Sequence, residues 1–178
     1  MAKLGPGDGS IKVYTKREGV AARIGHDLTL QASRWDADVN LDGDDLSSAS
    51  VTATVDTGSL EVVSGTGGAT PLSDKDKADI AKNTQKVLPA GQITFRSTGV
   101  EPAGDNRVRV SGDLTIGGTT QPVTLDLTRE SGGDGERFSG RVTISHRQWG
   151  IKPYSGMMGA LKVADPVEIE FDLRVPTS

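Results

Sequence analysis

"VRVSGDLTIGGTTQPVTLDL", Val108–Leu127, has a period of two. Val108, Val110, Gly112, Leu114 and Ile116 share one side, and Arg109, Ser111 and Asp113 share the other. Alternation of this kind is the mark of a strand with one dry face and one wet face. After Gly117-Gly118 the pattern resumes with Val123, Leu125 and Leu127. Two such runs joined through a glycine pair predict a β-hairpin.

The same period recurs elsewhere. Phe138, Gly140, Val142 and Ile144 alternate with polar residues, as do Val167, Ile169, Phe171, Leu173 and Val175. Shorter runs lie at Ala37/Val39/Leu41, at Val51/Ala53/Val55 and from Ile93 and Phe95. One apolar and one polar face per strand predicts an antiparallel sheet with a single buried side, hence a barrel or sandwich. One helix is predicted among these strands. It starts at Ser73 as N-cap, with Asp76 as its capping-box partner, and carries a weak apolar stripe from Ala78 to Leu88. Pro89 ends it. "SGTGGATPLS" before it reads as a flexible loop. No repeat or second domain is evident, so residues 1–178 are read as one domain.

Composition excludes several functions. There are no cysteines, hence no disulfides and no thiolate chemistry. The net charge is −4 with no basic block, so no nucleic-acid partner is expected. No stretch has the roughly 20 apolar residues of a membrane span. "MAKLGPGDGSIKVY" lacks a signal-peptide core, and a cytoplasmic location is the expectation.

The chain has two histidines, His26 and His146. In "IGHDLTL", Val20, Ala22, Ile24, His26, Leu28 and Leu30 share one parity, with Asp27 on the other. On a strand, His26 therefore faces inward and cannot pair with its neighbour Asp27. Nucleophile-elbow, Walker, dinucleotide and zincin motifs are absent. "DGDD" at Asp42–Asp45 lacks calcium-loop spacing and reads as a turn. Two distant histidines are a weak metal signal, so neither metal nor cofactor is expected. "SHRQWGIKPYSGMMGALKVADP", Ser145–Pro166, is irregular and holds Arg147, Trp149, Tyr154, Met157 and Met158 among three glycines. It reads either as a plug of the core or as a mobile apolar cover at one end of a barrel.

These segments resemble the YceI-like family, the polyisoprenoid-binding proteins of lipocalin-like fold. "ITFRSTGV" (Ile93–Val100), "VSGDLTIGGTTQPVTLDL", "SHRQWGI" and "VEIEFDL" carry the resemblance. It implies an elongated eight-stranded antiparallel barrel with one inserted helix and an interior that takes a long-chain apolar ligand. A polyisoprenoid, a quinone or a fatty-acyl compound would suit. The sequence departs from the family in two places. "GHDLTLQA" stands where many relatives have a His-Ser followed by aromatics. "SDKDKADIAKNTQKVLPAG" replaces an arginine–aromatic segment.

On that reading the protein is a non-enzymatic carrier or store. The expected lining is Ile24, His26, Leu28, Leu30, Val39, Leu41, Phe95, Val110, Leu114, Val142, Ile144 and Phe171. Trp35 and Trp149 are expected at the mouth, with Arg147 and Tyr154 nearby. Small inward residues, Ala22, Ala37, Ala53 and Gly112, are expected to leave room. Two other readings stand beside it: a filled barrel that serves as a protein-interaction module, and a lipid-modifying enzyme with His26 or His146 as general base. A homodimer is compatible with all three.

Overall fold

The computed structural model describes residues 1–176 apart from 43, 44, 69 and 89. Among the described residues the strands are β1 (Ala2–Leu4), β2 (Gly9–Thr15), β3 (Arg17–Glu18), β4 (Asp27–Ala32), β5 (Trp35–Asp42), β6 (Asp45–Asp56) and β7 (Leu60–Thr66). Helix α1 (Asp74–Val87) follows. Then come β8 (Gln92–Pro102), β9 (Arg107–Ile116), β10 (Thr119–Gly132), β11 (Gly135–Ser145), β12 (Ser155–Gly156), β13 (Leu161–Val163) and β14 (Pro166–Pro176).

The hairpin forms as its sequence requires. β9 and β10 pair antiparallel from Ile116↔Thr119 to Arg107↔Thr128. Gly117 and Gly118 both have positive φ, +58° and +83°. A two-residue turn of that hand matches the right-handed twist of its strands, and only glycine adopts it without strain. Val108, Val110, Leu114 and Ile116 are all buried, while Arg107, Arg109 and Asp113 are exposed.

The sheet departs from the expected closed barrel of eight. Eleven strands form one curled antiparallel sheet in the order β1-β5-β6-β8-β9-β10-β11-β14-β2-β4-β7. It has two edges, β1 and β7, and is a half-barrel rather than a closed one. β12, β13 and β3 make a second, small sheet. The added strands have weak alternation or are very short. β7 contains the Val62-Val63 doublet and includes Ser64–Thr66, part of the expected loop; β4 supplies its ladder.

The strand expected from Val20 to Leu30 also starts later. Ala22–Ile24 is a turn of 3₁₀ helix and β4 begins at Asp27. Val20 and Ile24 are exposed in consequence, so the inward parity holds only from Leu28. Helix α1 has the expected start: the Asp76 N–H donates to Ser73 Oγ at 3.1 Å, and the Ser73 N–H to Asp76 Oδ2 at 2.9 Å. It ends at Val87 with Leu88 as C-cap; Pro89 lies outside the described residues, as do two of the four in Asp42–Asp45.

The buried face carries two apolar clusters. One gathers Leu4, Ile11, Ala32, Trp35, Ala37 and Val175 and fills one end of the curl. The other, around Phe95, Val108, Val110, Leu114, Ile144, Trp149 and Val167, lies toward α1. Ala37 and Gly112 leave no free room. Ala37 is 2% exposed. A Cβ on Gly112 would stand 2.5 Å from the Phe95 ring, which occupies that space.

Candidate functional site

The cavity lies between the concave face of the sheet and α1, and has a volume of about 480 Å³. Its floor is apolar. Leu28 and Leu30 of β4, Leu114 and Ile116 of β9, Ile144 of β11, and Val167 and Ile169 of β14 form it. Every one of these has inward parity, so the ladder that hydrogen-bonds the strands also aims their side chains at one space. Trp149 and Ile151 close the floor, at 2% and 9% exposure.

The roof is α1. Asp76, Ile80, Asn83, Thr84 and Val87 recur at helical spacing, are half-buried and face the cavity, while the opposite side of the helix is exposed. The rim is polar, with Arg17, His26, Asp76, Asp79, Ser145, His146, Tyr154 and Lys162. Ser73 holds the Asp76 carboxyl below its ordinary range, its backbone N–H contributing most. A dry floor under a wet rim is the arrangement that suits an amphiphile.

Both histidines lie on the cavity wall. His26 Nε2 is 2.7 Å from the Thr70 carbonyl, and His146 Nδ1 is 2.7 Å from the Asp165 carbonyl. A carbonyl only accepts, so these nitrogens carry the proton. His26 is half-buried and does not bond to Asp27, whose Oδ1 accepts the Arg17 N–H at 2.9 Å. Ser145, His146 and Asp165 are close together, but they are not wired as a triad. The Ser145 hydroxyl donates directly to the Asp165 carboxylate, and His146 bonds only the backbone of that residue. That hydroxyl, with the Arg147 N–H and charge in support, holds the Asp165 carboxyl below its usual range. No group of three or more His, Asp or Glu able to hold a metal occurs among the described residues.

Of the residues singled out in the sequence, Ile24, His26, Leu28, Leu30, Leu114, Ile144, Trp149 and Tyr154 line the cavity. Trp35 and Val39 pack in the other cluster, away from any mouth. Leu41, Phe95, Val110 and Val142 belong to the cluster beneath the cavity without reaching its surface, and Phe171 touches both clusters. Arg147 points outward, its side chain 79% exposed and its Nε 3.8 Å from Asp165 Oδ1. Trp149 is not at the mouth either: it is buried and donates through Nε1 to the Leu114 carbonyl at 2.8 Å.

The segment around Trp149 is folded into the wall. His146 N–H donates to Asp165 O, Val163 N–H to Tyr154 O, and β13 pairs with β3. Met158 is fully exposed, and the Met157 side chain lies outside the described residues. The roof residues and Val13, Leu161 and Val163 were not singled out as lining. The stripe Ile80–Thr84–Val87 was their sequence signal, since it names the helix face that must pack.

Residues 12–175 match the YceI-like domain. The chain belongs to the YceI-like family. It is 31% identical over 86 residues to a UPF0312 protein of Pseudomonas fluorescens, covering 45% of each chain. It is 26% identical over 139 residues to a UPF0312 protein of Vibrio cholerae, covering 75% of this chain and 67% of the other. The match thus spans less than half the length of the Pseudomonas fluorescens relative. The crystal structure of Burkholderia cenocepacia BcnA is similar with a TM-score of 0.69 and 24% identity, covering 94% of this chain and 96% of that one. The Campylobacter jejuni YCEI protein gives a TM-score of 0.60 at 13% identity, with 83% of each chain covered. These two likenesses show the shared fold. The YceI-like family is known as one of binding proteins, and no helix among the described residues is long and apolar enough to cross a membrane.

Proposed function

We propose that this YceI-like protein binds the apolar chain of a long-chain amphiphile, an isoprenoid, quinone or fatty-acyl compound, beneath α1 and acts as its carrier or store. The observation that carries this reading is the roofed cavity of about 480 Å³ with an apolar floor and a polar rim. If a methylene takes up about as much room as a water, ~30 Å³ in the liquid, the space holds roughly 15 carbons. At about 0.8 kcal/mol each, burying them contributes on the order of 12 kcal/mol gross. Association costs of about 4–15 kcal/mol oppose this. Burial thus leaves at most about 8 kcal/mol net, enough at the low end of the costs for a chain to bind with few polar contacts, and chains of similar length compete.

The filled-barrel alternative calls for an interior packed throughout, whereas a space of about 480 Å³ lies above the second cluster. For the enzyme alternative, the histidine N–H groups go to backbone carbonyls rather than to an orienting carboxylate. The test is organic extraction of natively purified protein, read by mass spectrometry, together with thermal shifts in the presence of chains of 8 to about 20 carbons. The expected result is an extracted prenyl, quinone or acyl compound and stabilisation that peaks near the length the cavity holds. An empty extract with no stabilisation at any length would overturn the proposal.

A further inference from the structure

An open groove of about 740 Å³ adjoins the cavity and shares Asn83, Val87, Trp149, Ile151 and Tyr154 with it. The two spaces thus border one another along these residues, so that a molecule with its chain in the first would place its head in the second if it left on that side. The groove's remaining wall brings in Lys86 from α1 and Lys152 from the segment after Trp149. No carboxylate lines it among the described residues. The cavity's other rim, by contrast, has Asp76 and Asp79.

We infer that the groove between Lys86 and Lys152 is a head-group subsite for an anionic amphiphile, a carboxylate or phosphate on a long chain. This rests on the chain-binding reading above and adds the charge and direction of the ligand. Neither lysine makes an ion pair among the described residues, in a chain where most outward arginines have carboxylate partners. The side chains of Asn83, Thr119 and Tyr154 in the groove make no hydrogen bond among the described residues, so their donors are available to an oxyanion. Lys86 also lies in the last turn of α1, where a cation offsets the helix dipole. Lys152 has no such duty. An anion entering at the Asp76/Asp79 rim meets mixed charge, two carboxylates beside Arg17 and Lys162, whereas the Lys86/Lys152 end offers only cations among its described charged lining residues.

The test compares dodecanoate, dodecyl phosphate and dodecanol, read by tryptophan fluorescence, because Trp149 lies on the wall common to both spaces. Two exposed charge pairs, each contributing a factor of up to about five, give roughly tenfold tighter binding of the anions than of the alcohol at low salt. That preference shrinks at high salt. In the double variant Lys86→Gln/Lys152→Gln the anion-to-alcohol ratio falls toward one. Equal affinity for the three chains, or a preference that survives in the double variant, overturns the inference. Acetate or inorganic phosphate binding as tightly as the chains also overturns it, because the site would then serve free anions. If no chain binds at all, the chain-binding proposal itself fails, and this one with it.

Discussion

Trp149→Ala distinguishes a core residue from a loose cover. Trp149 is 2% exposed, walls the cavity and donates Nε1–H to Leu114 O at 2.8 Å. A buried tryptophan removes about 150–250 Å² from water, which at roughly 25 cal/mol per Å² stabilises by about 4–6 kcal/mol. Because the cavity already lies against it, the walls can relax only partly, and a loss of about 3–5 kcal/mol is expected. Trp149→Phe keeps most of the area and loses the hydrogen bond, at about 1 kcal/mol. Urea unfolding measures both, with the midpoint falling and the slope constant. If Trp149→Ala costs less than about 1 kcal/mol, the segment 145–166 is peripheral and the account of the cavity floor is wrong.

Gly112→Ala should destabilise by about 1–3 kcal/mol, since its Cβ would meet both the Phe95 ring and the Arg96 carbonyl oxygen, at 2.5 and 2.6 Å; unchanged thermal unfolding would contradict this. Ile80→Trp, on the half-buried face of α1, should fill the cavity from its roof and abolish stabilisation by long chains while far-UV dichroism stays the same. Asp172→Asn should flatten the acid limb of the stability curve. Hydrogen bonds from Arg137 hold the Asp172 carboxyl below its ordinary ~3.9, so the unfolded chain binds its proton first as pH falls. This stabilisation is complete above that value and is lost as pH drops through the folded carboxyl's lower one; urea midpoints between pH 5 and about 2.5 would show it.

Much of the fold was legible where the period of two was unbroken. The β9–β10 hairpin, β11, β14 and the Ser73–Asp76 box were each visible because one local rule dictated each. From Val20 to Ile24 the same spacing misled. Apolar residues at every second position also fit a loop, and Gly19 at φ +101° and the 3₁₀ turn break the strand there. The site was half legible for a different reason. Parity says which side of a strand a residue faces but not how far along the curl it lies. Val39 and Phe171 face inward as Leu114 and Ile144 do, yet the first two meet packed side chains and the last two meet the cavity. Where the cavity lies depends on α1 and on residues 145–166 coming over one end. No short window of sequence encodes that meeting.

The two free edges of the sheet have a mechanical consequence. A closed barrel is a hoop, and widening it means tearing backbone hydrogen bonds along a whole strand. This sheet is a cuff with a seam between β1 and β7, and α1 leans on β7. The cuff can spread at its seam with every ladder intact, giving up side-chain contacts along α1 and the packing of Leu4, Trp35 and Ala37 against Ala32, Ile11 and Val175. Girth is therefore set by soft packing rather than by the strand register. On the chain-binding proposal, a thicker or branched guest would be admitted by loosening that packing, with the returning sheet as the grip.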